Sequence, residues 1–448
     1  MAAMSFTATL DRALAALAPG PVAVACSGGA DSSALLHALA TNAQARARGL
    51  RVLHVDHGLH ADSARWAVHC ATLAASLDVP IDVCVVAVDR QRGTGLEEAA
   101  RSARMTAFAA ALRPGEFLAL AQHRDDQAET VLLKLLRGAG PEGLGGMRTL
   151  RACGDGWLWR PLLDLQRSTL QDYARDHGLT WIEDPSNAQT HLDRNFLRAE
   201  ILPRLRDRWP EVEKPLAHSA QWLRAAADFI DAEARKALAR LQGLDAATLA
   251  WHGWLALDDA LRDPVLRLWL RDLGLDEPSH LHVAEVEKQL RGAGADRLPC
   301  VAFAKTELRR YRDLLYAMQP VSSAPAQWQA QWRGEPLALP AGGTLSTQPQ
   351  TWLPASLRIS LRAGGERIKP SGGTHTRELR LLLQEAGVPP WQRDHIPLVW
   401  HDADLLAVGD LVLSDAGAAF CDEHALRFAW EPASPIGDAT SSASHRDR

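Results

Sequence analysis

Val22–Leu39, VAVACSGGADSSALLHAL, is a short β-branched run that passes through two adjacent glycines straight into an Ala/Leu helix pattern. A buried strand that feeds a helix through Ser27, Gly28, Gly29, Ala30, Asp31, Ser32 and Ser33 presents backbone N–H groups, hydroxyls and a helix N-terminus to one point. Such a loop holds a phosphate or pyrophosphate. It is not a Walker loop, because no Gly-Lys-Ser/Thr follows. Asp31 places a carboxylate where a purely anion-binding loop avoids one, which points to magnesium bridging carboxylate and phosphate. The bland alternative is a helix N-cap built from small residues for close packing.

Outward from that loop, strand patterns recur in PVAVAC, RVLHVD, IDVCVVAV and EFLALAQ, separated by amphipathic stretches such as SARWAVHCATLAASL and LEEAARSARMTAFAAAL. Strand and helix in alternation predict a doubly wound parallel α/β sheet over residues 1–210. Residues 211–319 turn to Ala, Leu, Arg and Trp with helical periodicity and predict a helical middle domain; 320–354, rich in Pro, Gln, Gly and Ser, reads as a linker. A small α+β domain is expected over 355–431 and a disordered polar tail over 432–448.

The 448 residues leave room for several domains, and 47% hydrophobic with 23% charged residues excludes disordered and fibrous classes. No apolar run nears the roughly 20 residues of a membrane span, and Asp11 interrupts the stretch where a signal peptide needs apolar residues, so a cytoplasmic protein is expected. Six scattered cysteines without CxxC speak for free thiols over disulfides or structural zinc. A net charge of −5 weighs against nucleic-acid binding, yet Arg358–Asp394 carries seven basic and four acidic residues, a local basic patch.

In QHRDDQAETVLLKLLRG, Asp126 and Glu129 stand three apart on one face of a helix start, with Val131, Leu132, Leu135 and Leu136 expected on its buried side. Two convergent carboxylates suit an ammonium; acidic residues that merely complement the helix dipole are the alternative. Arg101 and Arg104 share a helix face and suit phosphates or a base, or else form a solvated face paired with Glu97 and Glu98. His54, Asp56, His57 and His60 invite a metal reading, but contact of Asp56 and His57 with a nucleotide at a strand's C-terminal edge is preferred; His123 lies at the matching edge of a later strand.

SGGADS resembles the SGGxDS pyrophosphate loop of the N-type ATP pyrophosphatases, which cleave ATP to AMP and pyrophosphate while adenylating a carbonyl-type oxygen. LHVDHGLH, LEEAARSARMTAF, LALAQHRDDQAETVLLKLLRGAGPEGLGGM and EDPSNAQTHLDRNFLRAEILPRL, in that order over roughly residues 20 to 206, are similar to the tRNA(Ile)-lysidine synthetase family. LRAGGERIKPSGG and LLLQEAGVPPWQRDHIPLVW resemble that family's C-terminal domain; the helical middle matches by position and size alone.

The resemblance implies a carbon–nitrogen ligase that joins L-lysine to the wobble cytidine of the CAU-anticodon isoleucine tRNA, releasing AMP and pyrophosphate and moving decoding from AUG to AUA. It implies ATP and Mg2+, with Ser27, Gly28, Gly29, Ala30, Asp31, Ser32, Asp56 and His57 at the nucleotide and Asp31 at the metal. Asp31, Arg101, Arg104 and Asp126 would be catalytic, and Asp126 with Glu129 would bind lysine. The middle domain (211–319) and the small C-terminal domain (355–431) would bind tRNA, with Arg194, Asn195 and Arg198 of the first domain and Arg362, Arg367, Lys369 and Arg393 of the last in contact; the residues themselves offer Trp391 with Arg393 as a stacking surface, or equally a solvated charged face. A homodimer is compatible with this reading. The alternative is a sulfur-inserting tRNA modifier on the same ATP chemistry, which generally needs paired or catalytic cysteines that this sequence lacks beside DDQAET.

Overall fold

The computed structural model describes residues 5–434 and Ile436, except 61, 89–95, 186–189, 295–296, 321–324, 326 and 341. The chain divides into two compact units, Met1–Phe229 and Ile230–Arg448. Most of the expected 432–448 tail lies outside the described residues, as do Ser186 and Asn187 of the DPSN turn.

Unit one is built on a six-stranded sheet of β1 (Val22–Ala25), β2 (Arg51–Asp56), β3 (Ile81–Val85), β4 (Phe117–Ala119), β5 (Leu150–Cys153) and β6 (Gly156–Trp159), in the order β3-β2-β1-β4-β6-β5. All neighbours run parallel except the edge pair β5 and β6. Alternation along β1 sends Val22 and Val24 into one core and Ala23 into the other. The first core takes Leu10 and Leu14 of α1 (Phe6–Ala15), Leu35, Leu36 and Leu39 of α2 (Ala30–Thr41), Cys70 and Ala74 of the helix Ser63–Ser76, and Leu170 of the helix Arg167–Asp176. The opposite core takes Phe108 of the helix Leu96–Ala111 and Leu112 directly after it. The doubly wound expectation is met. β1 lies between β2 and β4, so strand order reverses there, and the crevice outside the C-terminal ends of β1 and β4 is where such sheets bind ligands.

Unit two corrects two expectations. The middle segment is not purely helical: Thr248–Ala250, Leu314–Met318, Thr306–Tyr311 and Cys300–Phe303 form an antiparallel sheet under the helices Asp259–Asp272 and His280–Gly292, with Trp254, Leu266, Trp269, Val286 and Leu308 between them. The expected linker folds as well. Gln329–Trp332 pairs with Leu357–Ser360, and Gly343–Gln348 pairs with Arg427–Pro432, burying Trp332, Leu345 and Leu353 completely. Those apolar anchors outweigh the turn-rich composition around them. One helix, Glu213–Leu241, runs through the boundary between the units. Among the described residues no helix is long and apolar enough to cross a membrane.

Candidate active site

The loop after β1 adopts the shape its glycines permit. Gly28 sits at φ +83°, a conformation costly for residues with a Cβ, and its carbonyl accepts from Ile182 N–H at 2.8 Å. Gly29 is the N-cap of α2. The Ser32 hydroxyl accepts from Ser27 N–H at 3.2 Å, lies 3.2 Å from the Ser27 hydroxyl and donates to the Gly29 carbonyl at 3.1 Å, so the chain closes around its own serines. Ala30, Asp31 and Ser32 then form the first turn of α2, where helix geometry leaves N–H groups free for an anion.

At the matching end of β4, His123 caps α6, here the helix Arg124–Leu136, and its backbone N–H donates to Asp126 Oδ2 at 3.1 Å. The imidazole is buried, with Nε2 3.3 Å from Asp126 Oδ2 and 3.7 Å from Asp31 Oδ2, and Nδ1 3.6 Å from Asp125 Oδ2. Burial opposes its protonation, but the three carboxylates outweigh burial and push it up to about 9. His123 thus joins the phosphate loop to the carboxylate helix. Asp125 points the other way, accepting from Arg167 N–H at 3.0 Å and from Arg206 at 2.9 Å. Burial raises it, yet His123, Arg167 and Arg206 hold it down to about 2.

Asp126 and Glu129 do converge, and two guanidinium groups fill the space between them. Arg194 Nε donates to Glu129 Oε2 at 2.7 Å and Arg198 Nε to Glu129 Oε1 at 2.7 Å, while both arginines reach Asp126 Oδ1 at 3.1 and 3.2 Å. Glu129 is 1% exposed. Burial opposes the Arg198 charge, but Glu129, Asp126 and Asp31 raise its pKa overall. The two arginines straddle a junction between the helical turn Asp193–Phe196 and a π-helical turn at Leu197–Ile201, the kind of distortion that gathers at functional sites. Their expected face is shared as the spacing predicts, but it meets carboxylates; Asn195 lies half-buried between them in sequence. Of the side chains expected on the buried face of α6, Val131 is buried and Leu132 half-buried, whereas Leu135 and Leu136 are 56% and 75% exposed.

Arg104 comes close enough to His57 that its charge, after burial, lowers the imidazole pKa, and Arg101 does the same to Arg160, which burial, Arg151 and Arg101 push down to about 10. Both therefore lie near the C-terminal ends of β2 and β6. Asp56 Oδ1 accepts from Gly58 N–H at 2.9 Å, and buried His54 lies 2.8 Å from the Cys26 carbonyl, a structural role for that histidine. No group of three or more His, Cys, Asp or Glu among the described residues forms a metal cage. Asp31 Oδ1, in contrast, is buried and has no hydrogen-bond partner among the described residues. One orphaned carboxylate oxygen beside a phosphate loop suits Mg2+ held mainly by phosphate and water.

Sequence reasoning missed Arg167, whose Nε stands 3.5 Å from Asp31 Oδ2, because nothing local marks a helix-start arginine as facing a loop far back in the chain. The C-terminal expectations divide. Arg367 and Lys369 are exposed, Lys369 pairing with Asp415 at 3.1 Å. The Arg362 side chain is only 10% exposed between Glu366 and Asp394, and Arg393 is spent on the Val388 carbonyl and Tyr311 hydroxyl, so neither is presented as a free cation. Trp391 packs edge-on against Tyr311 and Tyr316 with Arg309 over its ring; it is a joint inside unit two and not an open stacking face.

Comparison with known proteins adds three family matches: a PP-loop domain over residues 3–205, a TilS substrate binding domain over 249–316 and a TilS substrate C-terminal domain over 357–430. The chain is 43% identical over 420 residues to a tRNA(Ile)-lysidine synthase of Xanthomonas campestris pv. campestris, covering 93% of this chain and 96% of that one. It is 41% identical over 405 residues to that of Pseudomonas putida, covering 87% and 92%, and 38% identical over 412 residues to that of Methylococcus capsulatus, covering 90% and 94%.

Proposed function

The chain belongs to the tRNA(Ile)-lysidine synthase family, and from that premise we propose that it ligates L-lysine to the wobble cytidine of the CAU-anticodon isoleucine tRNA, using ATP with Mg2+ and releasing AMP and pyrophosphate. The base O2 attacks the α-phosphate and pyrophosphate leaves; the lysine ε-amine then attacks C2 and AMP leaves. The observation that carries the lysine assignment is the pair Asp126 and Glu129: one face of α6, next to the phosphate loop, already holds two organic cations.

Roles follow from position. Ser27 to Ser32 and the start of α2 hold the pyrophosphate end of the nucleotide, Arg101 and Arg104 balance phosphate charge, and Asp56 and His57 border the nucleotide. Mg2+, when bound at Asp31, supplies charge stabilisation to the departing pyrophosphate. The incoming ammonium replaces guanidinium on Asp126 and Glu129, and a carboxylate there takes the proton the amine must lose before attack. Arg194 and Arg198, once displaced, are free to meet RNA phosphate together with Arg367 and Lys369. Cys26 and Cys70, the thiols nearest the loop, are 2% and 0% exposed, which disfavours sulfur insertion.

The test is incorporation of labelled lysine into the CAU-anticodon isoleucine transcript with ATP and Mg2+, with the elongator methionine transcript and Asp31→Ala enzyme as controls. Label on the isoleucine transcript alone, lost in Asp31→Ala, is expected. Pyrophosphate release on another acceptor without lysine label would sink the assignment.

A further inference from the structure

Two thiols that no step above uses meet directly beneath the phosphate loop. Cys26 follows β1 and precedes Ser27; its N–H donates to the Leu53 carbonyl at 3.0 Å, and its side chain continues the inward alternation of Val22 and Val24. Cys70 faces it from the helix Ser63–Ser76. The two Sγ atoms stand 3.8 Å apart, Cys70 Sγ is also 3.8 Å from the Cys26 carbonyl, and both residues are buried. The Cys70 sulfur reaches under the glycine turn as well, 3.3 Å from where a Cβ on Gly28 would stand.

The two sulfurs are unequal, as a nucleophile and its resolving partner must be. The Cys70 thiol draws the Cys26 pKa down, burial opposes this, and the Gly28 N–H and Ser32 hydroxyl add to the lowering, so that it lies below the ordinary 9.0. Cys26 also stands at the entry to the N-terminus of α2, an electropositive setting in which a thiolate forms. For Cys70 the contact with Cys26 and burial both push the thiol up. Cys26 is therefore the attacking sulfur, and Cys70 keeps its proton until it is needed.

We propose that Cys26 and Cys70 form a redox switch on the phosphate loop, which a hydroperoxide closes to a disulfide in the nucleotide-free enzyme, weakening ATP binding until a dithiol reopens it. The Cys26 thiolate attacks one peroxide oxygen: an S–O bond forms, the O–O bond breaks, and the departing hydroxide takes up a proton to become water. The Cys70 sulfur then attacks the Cys26 sulfur; the S–S bond forms, the S–O bond breaks, and the oxygen leaves as a second water with the Cys70 proton. Two thiols give up two electrons and two protons, and one peroxide takes them.

The sulfurs must close from 3.8 Å to about 2.05 Å. Upstream, Cys26 is held by its bond to Leu53 and by His54 Nδ1, 2.8 Å from its carbonyl, so the Ser27–Gly29 turn is the part that yields. The closure also takes the Cys26 sulfur from the Gly28 N–H and Ser32 hydroxyl that face it, two groups of the loop that holds phosphate. Burial sets the order of events: an oxidant reaches the thiols only when the loop opens, and bound phosphate keeps the loop shut, so ATP protects the pair. The switch goes beyond the ligase reading and needs from it only that the loop binds ATP.

The test treats reduced full-length enzyme with hydrogen peroxide, with and without ATP and Mg2+, then alkylates and digests it without reductant. A Cys26–Cys70 link is expected, with the loss of two hydrogens in mass; Cys84 shares the tryptic peptide of Cys70, so fragmentation assigns the sulfur. ATP should slow the link by about fivefold or more, and the linked enzyme should bind ATP about tenfold or more weakly by calorimetry, returning to within about twofold of the start after dithiothreitol. Cys70→Ala should keep wild-type ATP affinity before and after peroxide, and Cys26→Ala serves the same purpose if that variant folds poorly. Exposed Cys300 reports that the peroxide acted. Oxidised Cys300 without a Cys26–Cys70 link overturns the proposal, as does linked enzyme that binds ATP like reduced enzyme, or an ATP affinity that peroxide still weakens in both cysteine variants. Reduced wild-type enzyme that binds no ATP overturns the nucleotide reading, and the switch with it.

Discussion

Replacing Glu129 by Gln tests the cation seat most directly. The amide keeps the shape of the carboxylate but loses its charge and turns one oxygen into a donor facing a guanidinium. Glu129 accepts three bonds, at 2.7 Å from Arg194 Nε and at 2.7 and 3.0 Å from Arg198 Nε and Nη2. Breaking a fully buried ion pair on one side costs about 3–5 kcal/mol. Here the arginines are 25% and 30% exposed and Asp126 still faces them, so a smaller loss of about 2–3 kcal/mol is expected. In a unit the size of Met1–Phe229, this lowers the midpoint of thermal unfolding by about 5–10 °C. In a double-mutant cycle with Arg198→Met, the pair should show a coupling of about 1.5–3 kcal/mol. The same substitution removes a charge from the proposed lysine seat, so the lysine KM should rise by about 10- to 100-fold at saturating ATP and tRNA. Calorimetry of the four proteins and lysine titrations with the transcript supply both numbers. Additive melting shifts within about 1 °C of zero would refute the clamp, and an unchanged lysine KM would refute the seat.

Other consequences are as sharp. Asp31→Ala should cut pyrophosphate release by about 100- to 1000-fold if the proposed role holds, with a loss of about 1–2 kcal/mol in stability because Asp31 stands 3.7 Å from His123 Nε2 and 3.5 Å from Arg167 Nε; melting curves and a pyrophosphate assay check this. Gly28→Ala should destabilise by about 1–3 kcal/mol and raise the ATP KM, because a Cβ there at φ +83° would lie 2.9 Å from the Ile182 Cδ1 and 3.3 Å from the Cys70 sulfur; unfolding curves and ATP titration report it. At the far end of the sheet, Glu116 is fully buried against Arg51, and although burial pushes its carboxyl up, Arg51 and the Arg113 N–H hold it below its ordinary 4.5. A depressed folded pKa gives stability that is present above pH 4.5 and lost as pH falls through the folded value. Glu116→Gln should therefore cost about 3 kcal/mol at pH 7 and flatten the acid limb, as read by urea unfolding between pH 3 and 7.

How far the sequence carried each conclusion depends on how local its cause is. β1 and α2 are written into one continuous stretch, because the tight turn needs Gly28 and the helix needs a run of Ala and Leu directly behind it. The β5–β6 hairpin carried a comparable signal in LRACGDGWLW, where Gly154 at φ +55° makes the turn, but arginine and aspartate within it hid the alternation. The sheet of the middle segment was obscured in the same way: TELRRYRDLLYAM alternates buried and half-buried residues around Arg312 at φ +52°, inside a stretch whose composition reads as helix. The strand Gly343–Gln348 was beyond reach for another reason. Its partner, Arg427–Pro432, lies about 80 residues on, and the register exists only once both are folded.

The site shows the same division more strongly. Asp126 and Glu129 could be placed on one face by helix period alone, and Arg194 and Arg198 likewise, each as a pair of like charges without its partner pair. Neither pair is stable alone in a partly buried crevice, since like charges at that spacing repel and desolvation penalises all four. Brought together across 65 to 72 residues of sequence, each pair removes the cost of the other. That reciprocity explains why a basic run whose spacing suited RNA is drawn inward, and under the proposed mechanism it sets the condition for turnover. Whatever cation displaces Arg194 and Arg198 must return an equal charge to Asp126 and Glu129, and the released guanidinium groups must find an anion. A lysine ammonium meets the first requirement and a tRNA phosphate the second, so binding of the two substrates should be mutually reinforcing. Equilibrium binding of lysine with and without the isoleucine transcript measures this, and equal affinities would show that the arginines stay in place.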